Sequence, residues 1–196
     1  MYDFALVGAN FFGVKNEDYP ALLEALAQFA EESGHPEIEN LPLCFNGMSA
    51  GAGMSVKFGA MMPERVIAIS AVCLEVGPRS EEARKIPTLT IFGERDGRQM
   101  EILDEKLPQE RAEGALWATA PQWGLRHDYA NANWLVWPFF DAVIHHRLPD
   151  NAPKDGPVIL RDYAESGGWL GDRGTWDTHW ARIAPYGEYD GDKTTA

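Results

Sequence analysis

The sequence predicts an α/β protein: a mostly parallel sheet of about five strands flanked by helices, with an irregular C-terminal appendage. Three observations predict it. Strand-like and helix-like stretches alternate from residue 4 to residue 146. Several strands, Val66–Val72 above all, are apolar at nearly every position, the mark of strands covered on both faces. Beyond Pro149 the periodicity stops, because Pro153, Pro157, Gly167, Gly168, Gly171 and Gly174 break every pattern. Residues 1–149 therefore read as the core and 150–196 as an appendage packed on it.

Composition narrows the function. A chain of 196 residues with 45% hydrophobic content is long enough for one domain with a core. Seventeen basic against thirty acidic residues give a net charge of -13. Such a surface repels phosphate backbones, so neither nucleic acid nor an anionic membrane is an expected partner. No run reaches the roughly 20 apolar residues of a membrane span. Met1–Val7 lacks the basic region and the apolar length of a signal peptide and reads as a strand that starts at once.

The elements follow in order. Phe4–Ala9 is a short apolar strand. Asp18 caps a helix with Pro20 in its first turn, Leu22, Leu26 and Phe29 on its apolar face, and Gly34 at its end. Leu41–Asn46 is a strand, 47–51 a tight turn, and 52–62 a helix of small residues and Met stopped by Pro63. Val66–Val72 is the next strand, 75–85 is polar and weakly helical, and Thr88–Phe92 is a strand ended by Gly93. A helix over 100–106, a short strand over 115–119 and a helix over 134–146 complete the core. His145 and His146 suit that last helix end electrostatically. Cys44 and Cys73 fall in apolar runs and read as buried free thiols. No Cys or His spacing resembles a zinc motif, so neither metal nor cofactor is expected.

One motif carries chemistry. Gly47-Met48-Ser49-Ala50-Gly51 matches G-x-S-x-G and sits between an apolar strand and an Ala/Met helix. As a bare pattern it is weak, with roughly 0.05 chance occurrences for this composition; the strand–turn–helix setting makes it specific. On such a turn the serine stands above the sheet edge with a strained backbone. Glycines two before and two after avoid collision with neighbouring backbone. The Ala50 amide lies at a helix N-terminus, where it can donate to an oxyanion. The plain alternative for Ser49 is a helix cap. Ser55 competes but lacks the second glycine.

With Leu43-Cys44-Phe45-Asn46 ahead of it and Pro63-Glu64-Arg65-Val66 behind, this region resembles the nucleophile elbow of α/β-hydrolases. It is most similar to the branch holding polyhydroxybutyrate depolymerases and feruloyl or acetylxylan esterases. The resemblance covers roughly residues 4–149 and implies the chain order nucleophile, acid, base. Asp96, after the strand ending Phe92-Gly93, is then the acid, with Glu94 and Asp104 as alternatives. His127, in the loop after the last strand, is the base. His35 precedes the elbow and breaks the order, His145 and His146 close a helix, and His179 lies in the tail.

The implied activity is hydrolysis of carboxylic esters, of small molecules or polymers, through Ser49, Asp96 and His127 and an acyl-enzyme. The alternatives are a non-catalytic binding domain and a peptidase or lactone hydrolase on the same triad. Trp123 and Phe11 are candidate substrate contacts. Trp134 and Trp137 read as helix core, and Trp169, Trp176 and Trp180 as packing the appendage down.

The chain departs from the resemblance before Ser49. No His-Gly-Gly-like loop for a second oxyanion donor precedes the elbow. The Phe4 strand corresponds to the fourth strand of the fold, and those before it are absent. Either the chain is part of a longer protein, the reading favoured here, with the missing strands supplied by that chain or by a partner, or the Phe4 strand pairs with the elbow strand. In the second case the backbone of Asn10 or Phe11 supplies the donor.

Overall fold

A computed structural model of the chain describes residues 6–8, 19–74, 80–153, 156–172 and 183–194. Its centre is a parallel sheet of four strands, β1 (Leu43–Met48), β2 (Val66–Val72), β3 (Thr88–Gly93) and β4 (Trp117–Gln122), hydrogen-bonded in chain order. The expected strand over Phe4–Ala9 does not hold where it is described. Leu6–Gly8 form no strand, and Leu6 is 79% exposed; the rest of that stretch, with Asn10, Phe11 and Asp18, lies outside the described residues. An apolar tripeptide becomes a buried strand only where a neighbour takes its amides. Among the described residues β1 is consequently an edge strand, only half-buried, whereas every residue of β2 and β3 is buried.

Helices cover both faces. On one, α1 (Tyr19–Ser33), α2 (Ala50–Met61) and α3 (Glu81–Arg84) pack Leu22, Ala52, Val56, Phe58 and Ala83 against Val66, Ile69 and Ala71. Gly59 of α2 approaches the sheet so closely that a Cβ there would press on Ile69. The inward face of α1 is Leu22, Leu26 and Ala30 rather than one that includes Phe29, which is 42% exposed. Its chain reverses at Gly34 with φ +72°. On the other face α5 (Asn133–Arg147) lays Val136, Phe140 and Val143 over Ile67, Ala68, Val72, Leu89 and Ile91. Between β3 and β4 runs α4 (Gly97–Ala112), much longer than the expected 100–106, packing Leu107 with Phe92, Ala115 and Trp117.

Trp134 and Trp137 are not core. They stand 84% and 43% exposed on the outer face of α5. The helix is apolar around most of its circumference, so periodicity alone did not distinguish the side that meets the sheet.

The appendage holds a small antiparallel pair, β5 (Trp169–Gly171) and β6 (Ile183–Pro185). Trp169 does not pack it down, being 66% exposed; Trp176 and Trp180 lie outside the described residues. Two arginines tie this segment to the core. Arg111 donates to the carbonyls of Trp117 (3.0 Å) and Lys193 (2.9 Å) and pairs with Glu165. Arg147, only 6% exposed, donates through Nη1 to the carbonyls of Val66 (2.7 Å) and Ile67 (2.8 Å) and through Nε to that of Arg161 (3.2 Å). Burial pushes its pKa below the ordinary guanidinium value.

Both cysteines are free. Burial pushes the Cys44 thiol up to about 12, opposed weakly by the Ala68 backbone and by Arg147. No helix among the described residues is long and apolar enough to cross a membrane.

Because the carbonyls of Val66 and Ile67 lose a buried donor with Arg147, Arg147→Ala is expected to lower stability by about 3 kcal/mol. Urea unfolding checks this; a loss below about 1 kcal/mol would mean that the guanidinium is not the clasp.

Candidate active site

In a parallel sheet all strand C-termini share one edge, and here each strand hands that edge one residue with a hydroxyl, thiol, carboxyl or imidazole side chain. Ser49 follows β1, Cys73 follows β2, Asp96 lies three residues beyond β3, and His127 lies five beyond β4.

Ser49 is the whole of the reversal between β1 and α2. Its backbone is in the left-handed half of conformational space, φ 53° and ψ -117°, which a residue with a side chain adopts only under constraint. The constraint is visible. Its N–H donates to the Val72 carbonyl (2.8 Å), and its carbonyl accepts from Gly53 (3.2 Å), so the turn is pinned to the sheet behind and the helix ahead. A Cβ on Gly47 would overlap the Gly51 carbonyl, so that glycine is required. Gly51 is not required in the same way, since nothing lies within 4 Å of a Cβ built there; the expected collision on that side is absent.

The Ser49 side chain makes no capping hydrogen bond, which removes the ordinary helix-cap role. Ser55 is nearly buried and gives its hydroxyl to the Gly51 carbonyl (2.9 Å), a backbone bond within the helix. Ala50 is the first residue of α2 and exposed, and its amide is among those a helix leaves without an internal acceptor.

Asp96 and His127 are together: Nδ1 of the imidazole is 2.9 Å from an Asp96 carboxylate oxygen, with the His127 side chain 44% exposed and that of Asp96 19%. The alternatives for the acid lie elsewhere. Glu94 accepts from the Gly124 N–H (2.7 Å), and Asp104 is exposed on α4.

The His127 loop is seated on the turn that carries Asp96. Gly93 lies so close to the carbonyls of Leu125 and Arg126 that no Cβ fits. The Arg95 N–H donates to the Leu125 carbonyl (2.8 Å), and that of Glu94 to the Gln122 carbonyl (3.0 Å). On the far side Asn46 of β1 donates to the Tyr129 hydroxyl (2.8 Å), which donates to Asn133 (2.6 Å).

The geometry does not close fully. Among the described residues the Ser49 hydroxyl makes no hydrogen bond to the His127 ring, although free enzymes often hold such pairs long and tighten them around substrate. Trp123 is half-buried in the same loop, four residues before His127. Phe11 lies outside the described residues.

Cys73 is a buried free thiol, as the sequence reading expects, but nothing in that reading places it at this edge. It has φ 56°, is fully buried, and donates its thiol to the Asp128 carbonyl (3.1 Å). Its Sγ, an Asp96 carboxylate oxygen and a His127 ring nitrogen all lie within 4.8 Å of one another. Burial pushes this thiol above the ordinary cysteine value. Its place as the first residue after a fully buried strand is the available signal.

No known family model matches the chain, and no curated protein does. Several solved structures are similar to it. A CIB-like hydrolase from Thermoplasma acidophilum is 17% identical with a TM-score of 0.45, over 70% of this chain and 65% of that one. SOBER1 of Arabidopsis thaliana is 18% identical with a TM-score of 0.46, over 65% of this chain and 63% of that one. A structure from Nitrososphaera gargenis, described with carboxylesterases, is 11% identical with a TM-score of 0.45, over 65% of this chain and 73% of that one. The chain thus spans slightly less than two thirds of the first two. At these identities and scores the likeness carries no argument about the site, whose chemistry rests on its own geometry.

Gly93→Ala is expected to lift the His127 loop from its seat, lowering stability by about 1–3 kcal/mol and shifting the His127 imidazole resonances. Unfolding midpoints and histidine NMR spectra check it; a variant with wild-type stability and unmoved His127 signals would show that the seat is not tight.

Proposed function

We propose that the protein is a serine hydrolase of the α/β-hydrolase type that cleaves carboxylic esters. The observation that carries this reading is Ser49 alone in a strained strand-to-helix reversal, at the sheet edge where Asp96 and His127 are paired at 2.9 Å. His127 takes the Ser49 proton as Oγ attacks the ester carbonyl, and Asp96 holds the imidazole with its Nδ1 proton inward. The Ala50 amide, aided by the α2 dipole, stabilises the oxyanion. His127 then protonates the leaving alcohol, and water, deprotonated by the same imidazole, releases the acid. The likeness of the elbow to the depolymerase and feruloyl or acetylxylan esterase branch fits an ester substrate, with the half-buried Trp123 as a candidate aromatic contact.

A second reading is a domain that binds an ester-like ligand without turning it over. The missing Ser49–His127 hydrogen bond favours it. Hydrolysis of p-nitrophenyl acetate decides between them. Ester hydrolysis that falls on the order of 10³-fold or more in Ser49→Ala, and comparably in His127→Ala, is the expected result. Activity that survives Ser49→Ala but disappears on thiol alkylation would move the nucleophile to Cys73, and no turnover by the wild type would leave the binding reading.

A further inference from the structure

We propose that Cys73, Asp96 and His127 form a site for a thiophilic divalent cation of the zinc class, and that its occupation switches the hydrolase off. The inhibitory half rests on the function proposed above; the site itself rests only on the side chains.

Three donors of different softness converge, a thiol sulfur, a carboxylate oxygen and an imidazole nitrogen, all within 4.8 Å of one another. These are the ligand types that zinc takes, and bonds of about 2.0–2.3 Å place tetrahedral ligands roughly 3.5 Å apart. The Asp96–His127 contact, at 2.9 Å, must open slightly and the sulfur must close by about 1 Å, which side-chain rotation accommodates.

The donors are carried on a firm frame. Cys73 is fixed by its N–H to the Ile91 carbonyl (2.7 Å), the Asp96 turn by its N–H to the Gly93 carbonyl (2.9 Å), and the His127 loop by its seat on Gly93. Three protein ligands leave a fourth position for water, on the side where the half-exposed imidazole faces solvent. The thiol's present partner is the neutral carbonyl of Asp128, a weak bond to give up.

Binding replaces protons by metal. The Cys73 S–H bond breaks, a sulfur–metal bond forms, and the proton leaves to solvent; no oxidant or reductant is involved. Once a ring nitrogen of His127 and the Asp96 carboxylate are bound to the cation, the imidazole is no longer held to receive the Ser49 proton, and acylation stops.

Co2+ titration of the full chain tests the site without any substrate. The expected result is one equivalent bound with a sulfur-to-cobalt charge-transfer band, displaced by Zn2+. Cys44, which joins no such donor cluster among the described residues, does not supply that band. Cys73→Ser is expected to abolish the band and to weaken Zn2+ at least tenfold in competition with a chromophoric chelator. Asp96→Asn, a near-isosteric change outside the buried core, is expected to keep the band and lose affinity, which guards against a misfolded Cys73 variant.

Cobalt binding without a thiolate band, or a Zn2+ affinity unchanged in Cys73→Ser, overturns the site. In the activity arm Zn2+ is expected to inhibit ester hydrolysis and a chelator to restore it. A thiolate band in a protein without esterase activity sustains the site and sinks the hydrolase reading, while a full site that leaves hydrolysis untouched overturns the switch.

Discussion

The contact between Gly93 and the carbonyls of Leu125 and Arg126 is the constraint on which the reactive edge depends. Because no side chain intervenes, the loop after β4 settles directly on the turn after β3. The loop's backbone then bonds to Glu94 and Arg95, and His127 comes to rest on Asp96. The contact brings together the crossover connection after β3 and the loop that leads from β4 to α5. Their pairing is therefore a product of the tertiary fold, set by the parallel order of β3 and β4, rather than of either loop by itself.

The Ser49 turn obeys a different logic. Its strain is held by local bonds, the Ser49 N–H to Val72 and the Gly53 N–H back to Ser49, together with the space that only glycine leaves at 47. That is why the turn was legible in the sequence: glycine, serine and the flanking apolar runs are adjacent along the chain. The central strands β2 and β3 were legible for a related reason, since strands buried on both faces are apolar at consecutive positions. Asp96 and His127 are singled out only by the chain order that the resemblance implies, a weaker signal, and the structure sets them 2.9 Å apart.

What the sequence hid is equally physical. Cys73 sits at the end of an apolar run and looks like one more core residue; only the parallel register, with β2 between β1 and β3, brings it beside Asp96 and His127. The outer face of α5 was misjudged because Trp134, Leu135 and Trp137 are as apolar as Val136, Phe140 and Val143, and the spacing that buries the second set becomes visible only against the sheet. The run Phe4–Ala9 reads as a strand from composition, yet its described residues, Leu6–Gly8, form none, because a strand is a property of a pair. The arginine clasps, Arg111 and Arg147, join positions far apart in sequence and leave no periodic trace.

The central claim is that the strained turn makes Ser49 a nucleophile served by His127. Treatment with a fluorophosphonate, followed by peptide mass spectrometry, measures this most directly: Oγ attacks phosphorus, fluoride leaves, and the adduct marks the residue that attacked. The account predicts a single adduct on Ser49 that fails to form in His127→Ala. An adduct on another residue, or labelling of Ser49 that proceeds at the same rate without His127, would contradict it.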